Sequence, residues 1–334
     1  MKKGFVFSVC LLLSAAVVFA GGGAQGAKGA GSGKKKVAYV ARTLSDPFAA
    51  WLANEMVKHA AAYSDTYTLD VLDSQGDAEK TNTHIENCIT KGYDLVIIQP
   101  NDGELQRPYA QRLLDNGIKV ITTNAKIPDL KGSSGVDADP YEQGKVLAVD
   151  AVKKVPRNGR AVLLNCLPGN LHTTARYKAF QAEFVAKRPD VTILADAILE
   201  RASEADAMAK FEDWVQSFGK FDLVLTSADV LGLAALEVTK NNPAFKDLLI
   251  YGVDGLAGAM LAIKDGNYTG SCFQNAAQLA ELNTKAAYEL LTGAKTEVDY
   301  AISADLITKE NVDEYLKIAV STGSLTQAEV DAHK

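Results

Sequence analysis

Short apolar runs alternate along the chain with longer stretches in which apolar residues recur every three or four positions. Strict runs predict buried strands over 37–41, 69–72, 95–98, 119–122, 161–164, 192–195, 223–226, 249–252 and 269–272. The helical period predicts helices over 47–63, 78–90, 103–116, 141–155, 173–187, 204–217, 230–240, 256–264 and 276–291. In the first of these, Phe48, Trp51, Leu52, Met56 and Val57 share a face. Asp46 before Pro47 reads as an N-cap followed by proline at the first helical position, and Gly117 as a left-handed cap closing the third helix. Trp51 and Trp214 read as core residues on helix faces. Strands that are apolar throughout are covered on both faces, which means parallel sheets under helices. The fold class is α/β, and the number of strands suits two doubly wound sheets. A weak echo supports two like halves: 94–102 (DLVIIQPND) resembles 222–229 (DLVLTSAD).

The N-terminus breaks this pattern. Met1, Lys2 and Lys3 precede an uncharged, mostly apolar stretch to Ala20, with Val18 and Ala20 at the −3 and −1 positions. That is the form of an export signal cleaved after Ala20, the alternative being a retained membrane anchor. Val9 before Cys10 does not match the small residue that a lipid-attachment site wants. Residues 21–36 are Gly, Ala, Ser and Lys with one Gln, the composition of a flexible tether. The expected location is therefore the periplasm. Removing residues 1–20 takes away two lysines and no acid, carrying the formal charge from −6 to −8. An acidic chain argues against nucleic acid as partner. Cys88, Cys166 and Cys272 are widely spaced and odd in number, so they read as buried small hydrophobes rather than a disulfide framework.

Ligands of doubly wound sheets bind beyond the carboxyl ends of the strands, so chemistry is to be sought at 42–48, 99–102, 123–124, 165–176, 227–229, Asp254 and Gln274. These positions hold carboxylates, amides, guanidinium groups and aromatics. No nucleophile elbow is present, His84 and Cys88 lack two further metal ligands, and no G-x-G-x-x-G turn follows the first strand. No catalytic residue, metal or cofactor is expected. Carboxylates that accept, guanidinium and amide groups that donate, and a nearby aromatic face suit a neutral polyol, whose hydroxyls both donate and accept. Buried polar groups that only the right ligand satisfies supply its stereochemical discrimination.

Several segments carry a family resemblance. They are RTLSDPF at 42–48, LDSQGD at 72–77, IQPND at 98–102, PGN at 168–170 with Arg176, YGVDG at 251–255 and LITKENV at 306–312. In this order and spacing the chain resembles the periplasmic sugar-binding proteins of ABC transporters, of the ribose and glucose/galactose-binding type. The resemblance implies the type I periplasmic binding fold: two Rossmann-like lobes joined by three hinge strands. Lobe 1 would be 37–138 with 274–303, and lobe 2 would be 139–273 with 304–334. It implies that Asp46 accepts from sugar hydroxyls, Phe48 stacks on the ring, Arg176 clamps hydroxyls and ring oxygen, and Asp254 and Gln274 supply a carboxylate and an amide. Asn124 sits where a ligand amide is found, and Asn170 and His172 fall where that type has a His and an Asp. Arg42 adds a cation, and Asp229 joins the ligand candidates. Helix capping is the alternative role of Asp46 and Asp229, and a simple core role that of Phe48.

The chain departs from the pattern at Ala228, where relatives have a ligand Asn, and at His172, which replaces a carboxylate. There is no aromatic near 199–203, and 155–160 is too short for the calcium loop of some relatives. A pentose, a deoxy sugar, a polyol and an anionic sugar all stay open as ligand. The implied partner is a membrane permease, with a chemoreceptor as a second one, and the implied state is a monomer. Rival readings are a receptor for a signalling molecule, a secreted Rossmann-type enzyme, which would need a glycine turn at 42–45, and a lactose-repressor-type regulator, which would need a basic N-terminal helix-turn-helix.

Overall fold

The structure, a computed structural model, describes residues 33–333; the expected export signal at 1–20 and most of the tether lie outside the described residues. In chain order the elements are β1 (Lys35–Ala41), α1 (Pro47–Ala60), β2 (Tyr67–Asp73), α2 (Ala78–Thr90), β3 (Leu95–Ile98), α3 (Gly103–Asp115), β4 (Lys119–Asn124), β5 (Ser134–Asp137), α4 (Pro140–Lys154), β6 (Arg160–Cys166), α5 (Leu171–Phe180) and β7 (Thr192–Leu199). They continue with α6 (Glu204–Phe218), β8 (Leu223–Thr226), α7 (Asp229–Thr239), β9 (Leu249–Asp254), α8 (Ala257–Lys264), β10 (Gly270–Phe273), α9 (Ala276–Thr292), β11 (Asp299–Ala301), β12 (Asp305–Ile307), α10 (Val312–Thr322) and α11 (Gln327–Asp331).

The strands form two six-stranded sheets, ordered β11-β5-β4-β3-β1-β2 and β12-β10-β9-β8-β6-β7. Every pairing is parallel except that of β12 with β10. Without the edge strands β11 and β12, both sheets have the same doubly wound order. The strand reversal, where such sheets open a crevice, falls between β1 and β3 in one lobe and between β6 and β8 in the other. The chain passes between the sheets three times: after β5, after β10 and between β11 and β12.

The echo seen in the sequence has a structural counterpart. Asp94 and Asp222 each precede the strand next to the first strand of their sheet. Asp94 Oδ2 accepts from the Lys36 amide at 2.8 Å, and Asp222 Oδ2 from the Arg160 amide at 2.9 Å. Each carboxylate thus fixes the register of two adjacent strands from below.

Each sheet is covered on both faces, as apolar strands require. In lobe 1, Leu52 and Met56 of α1 and Leu279 and Leu290 of α9 pack on one face, and Ile85 of α2 and Leu113 of α3 on the other. In lobe 2, Phe211 and Trp214 of α6, Leu231 of α7 and Leu316 of α10 cover one face; Leu147 of α4 with Phe180 and Phe184 covers the other. The three cysteines at 88, 166 and 272 are free and buried.

The differences from the predicted elements have local causes. The first helix stops at Ala60 and finishes as a 3-10 turn over Ala61–Tyr63; the fifth begins at Leu171 and ends as a π turn over Gln181–Val185. Strands β5, β11 and β12 are three or four residues long, and helices α10 and α11 lie after the last predicted element. Trp51 is not buried in one lobe core as expected: its ring packs on Phe48 of its own helix and on Phe273 of β10 in the other sheet, each with centroids 6.4 Å apart.

Candidate functional site

The carboxyl ends of both sheets face a common cleft. Twelve side chains from the two lobes converge there on one narrow cavity: Arg42, Asp46, Phe48, Asn124, Cys166, Leu167, Thr173, Arg176, Ala202, Ala228, Asp254 and Gln274. Seven of them are residues singled out in the sequence. Asn170, His172 and Asp229 are not in the lining.

Lobe 1 builds its wall from the turn after β1. Asp46 is the N-cap of α1, its Oδ1 accepting from the Ala49 amide at 2.9 Å, while its Oδ2 accepts from Arg42 Nη2 at 3.0 Å. The capping role and the cavity position are therefore not alternatives. One oxygen ends the helix and the other pairs a guanidinium that is 7% exposed in its side chain. Arg42 is held from behind, its amide donating to Gln99 Oε1 at 3.1 Å, and the same oxygen accepts from Tyr39. Phe48, 2% exposed, gives the cavity its one aromatic wall. Asn124 ends β4 with φ 69°.

Lobe 2 centres on Arg176 of α5. Its Nε donates to Gln143 Oε1 at 3.0 Å, its Nη1 to the Ser227 carbonyl at 2.8 Å, and its Nη2 lies 3.6 Å from Asp254 Oδ1. Gly144 allows this placement, because a Cβ there would lie 2.8 Å from Arg176 Cα. Asp254 Oδ1 also accepts from Gln274 Nε2 at 2.6 Å, and Gln274 follows β10 where the chain returns to the first sheet. Burial pushes the Asp254 carboxyl up, against the pull of Arg176. Burial also raises the Cys166 thiol to about 11, so it faces the cavity as a neutral group.

Backbone strain gathers at this place. Asn124, Leu167 and Asp254 have φ of 69°, 57° and 125°, in the left-handed region that side chains other than glycine disfavour, and all three line the cavity. Three buried polar atoms of lining residues have no partner: Arg42 Nε, Asn124 Oδ1 and Gln274 Oε1. A buried polar atom without a partner costs about 1–3 kcal/mol, so these atoms mark where a ligand would restore hydrogen bonds.

The three remaining candidates serve other contacts. Asn170 Oδ1 caps α5 by accepting from the amides of His172 and Thr173 at 3.0 and 3.2 Å. His172 is fully buried, neither ring nitrogen has a partner, and burial with the nearby Arg42 and Arg176 holds its pKa well below the usual range. Asp229 is not the N-cap of α7, a place held by Ala228. Its Oδ2 accepts from Ser271 Oγ at 2.7 Å and the Leu256 amide at 2.9 Å, and its Oδ1 from Tyr268 Oη at 3.1 Å. Sequence reasoning did not single out Cys166, Leu167, Thr173 or Ala202, although the first three fall at a strand end it had marked. It also missed Gln143, which orients Arg176 from α4 and carries no motif.

Two parallel-sheet lobes around a polar, partly strained cleft define a bilobed ligand receptor of the type I periplasmic binding fold. The chain belongs to the periplasmic binding protein family: the family's periplasmic binding protein domain matches residues 37–295. It is 27% identical over 285 residues to the ribose import binding protein RbsB of Bacillus subtilis (strain 168), covering 84% of this chain and 90% of that one. It is 26% identical over 243 residues to the xylitol-binding protein of Mycolicibacterium smegmatis, covering 72% and 68%. Among solved structures, the Caulobacter myo-inositol binding protein shares the fold with a TM-score of 0.78 at 23% identity, covering 87% of this chain and 97% of that one. These are binding proteins and not enzymes. Among the described residues no helix is long and apolar enough to cross a membrane.

Proposed function

We propose that this chain is the exported solute receptor of an ABC transporter, and that it takes an uncharged sugar or polyol between its lobes and presents it to a membrane permease. One observation carries the ligand class: each guanidinium in the cavity already faces a carboxylate, Arg42 with Asp46 and Arg176 with Asp254, while amide and guanidinium atoms stay unpaired. An anionic ligand would have to compete with two carboxylates in a buried space. Hydroxyl groups, which donate and accept at once, fit without that competition. The names of two relatives, for ribose and for xylitol, support the same class.

In this reading Asp46 and Asp254 accept from ligand hydroxyls, and Arg176 and Arg42 donate to hydroxyl or ring oxygens. Asn124 and Gln274 pair with hydroxyls in either sense, and Phe48 covers an apolar C–H face. Lobe 1 spans 37–138 with 274–303 and lobe 2 spans 139–273 with 304–334, so the hinge lies where the chain changes sheets. In this reading the receptor acts as a monomer. Its signal is cut after Ala20 on export to the periplasm. A chemoreceptor that reads the shut form is a second partner within this reading.

The test is native mass spectrometry of the purified protein for a co-purified small molecule, followed by calorimetric titration with ribose, xylitol, myo-inositol, glucose and a sugar acid. A neutral member of the set should bind one to one. Binding of the sugar acid alone, or of none, would overturn the proposal.

A further inference from the structure

Outside the cavity, the lobes meet at a second place. The carbonyl of Asn101, in the turn between β3 and α3 of lobe 1, accepts two hydrogen bonds from lobe 2. The Leu171 amide donates at 3.1 Å and Asn170 Nδ2 at 3.3 Å. The acceptor is rigidly held: Gln106 Oε1 accepts from the Asn101 amide at 3.0 Å, and Asn101 Nδ2 donates to Thr81 Oγ1 at 3.4 Å. Two residues on, Gly103 brings the start of α3 against Leu171. A Cβ at position 103 would lie 2.9 Å from Leu171 Cδ1 and 2.8 Å from Pro128 Cδ. None of Asn101, Gly103, Asn170 and Leu171 lines the cavity described above, although Asn101 and Asn170 line an adjoining pocket that shares Arg42 and Leu167 with it.

The amide of Leu171 is the first of α5, one of the four at a helix start that have no partner within the helix. Here a carbonyl of the opposite lobe satisfies it. The Asn170 side chain works in both directions, its oxygen capping α5 and its nitrogen crossing the cleft. Both bonds exist only while the lobes are together. In a parted state, water takes over the carbonyl and both donors.

We propose that Asn170 and Leu171 of lobe 2, with the Asn101 carbonyl and Gly103 of lobe 1, form a closure latch that stabilises the shut receptor without touching ligand. The inference rests on the reading of the protein as a receptor that shuts on its ligand. It assigns Asn170 to closure rather than to the sugar. A latch of this kind shifts the open–shut equilibrium, and through it the apparent affinity, for every ligand alike.

Two substitutions break the latch and spare the helix. Asn170→Asp keeps the capping oxygen, aspartate being as good an N-cap as asparagine, but replaces the crossing donor with a negative oxygen facing a carbonyl. Leu171→Pro removes the crossing N–H at the first helical position, where proline is favoured; the preceding Asn170, at φ −63° and ψ 132°, already has the extended backbone that proline demands. The expected result is an affinity weaker by about 3- to 10-fold in each variant for whichever panel sugar binds the wild type, as loss of a modest hydrogen bond implies. Dissociation should be faster, and the melting temperature of the ligand-free protein unchanged. Unchanged affinity, or a ligand-free melting temperature that falls with it, would overturn the latch, the second result reducing Asn170 to a helix cap.

A readout independent of ligand separates this inference from the function reading. Spin labels on cysteines introduced at the exposed Glu79 and Glu204, one in each lobe, report the distance across the cleft, the native cysteines at 88, 166 and 272 being buried. The ligand-free wild type should show a short-distance component that both variants reduce. Identical distributions in all three proteins would refute the latch even if every sugar bound. A wild type that binds no sugar yet shows the component and its loss would leave the latch standing and remove the function reading.

Discussion

At the scale of single residues, the cleft is governed by carboxylates in two different states. Asp46 is divided between a helix start and a guanidinium, whereas Asp254 is buried against Arg176 and Gln274. Asp254→Asn should weaken sugar binding by about 10- to 100-fold by titration calorimetry, since a hydrogen bond to a charged group contributes about 1.5–3 kcal/mol. Asp229 does a different job. Its carboxylate holds the Leu256 amide, and Ser271, bonded to that carboxylate, holds the Gly255 amide at 3.0 Å. Together they fix the turn that aims the strained Asp254 into the cavity. Burial raises Asp229 to about 6, above the unfolded value of 3.8. The folded state therefore binds the extra proton between those values, and the stability tied to it is full below pH 4 and lost as pH rises through 6. Wild type should lose roughly 3 kcal/mol relative to Asp229→Asn between pH 4 and pH 7 in denaturant titrations, a slope of about 1.4 kcal/mol per pKa unit. Parallel pH curves for the two proteins would contradict this assignment.

At the scale of elements, the cleft depends on how closely helices approach. Gly144 of α4 lies against the backbone of Arg176, so Gly144→Ala should push α5 away and lower stability by about 1–3 kcal/mol. Sugar affinity should fall further than that of a distant variant of equal stability, because α5 carries Arg176; equal affinities would show that the approach matters for packing alone. The same elements show what the chain's pattern can reveal. β3 and β8 are short, largely apolar runs bounded by polar and turn residues, which read as central parallel strands, and the structure buries them at every position. With them as central strands, the neighbouring strands β1, β4, β6, β9 and β10 end on the same side, which is why Arg42, Asp46, Asn124, Arg176, Asp254 and Gln274 could be named together. β11 and β12 escaped because DYA and DLI carry no periodic signal; they are edge strands specified by the chain's return between lobes. Asn170 and Asp229 stand at strand ends in the sequence, but the structure gives Asn170 a bond between the lobes beside the cavity and Asp229 the turn before Asp254. The partner of Asn170 Nδ2 lies 69 residues away and those of Asp229 27 or more, information that no local pattern contains.

At the scale of the whole molecule, two similar sheets with equal strand order give two crevices that face one another, and the chain crosses between them three times. Contacts between them include the cavity lining, the Asn101 latch and the Trp51–Phe273 pair. Ligand that bridges Asp46 and Asp254 adds its bonds only to the shut form, and so shifts the population by its difference in affinity for the two forms. X-ray scattering in solution should show a smaller radius of gyration when the binding sugar is added, and Asp254→Asn should need more sugar for the same change.

The most direct test is calorimetric titration of the sugar that binds the wild type into two single variants, Asp46→Ala in one lobe and Asp254→Ala in the other. If both lobes grip one ligand, each variant loses about 10-fold or more in affinity while the stoichiometry stays at one, as removal of a charged hydrogen-bond partner implies. An affinity that either substitution leaves unchanged would mean that the sugar rests on one lobe or elsewhere, and would contradict a ligand held between the two.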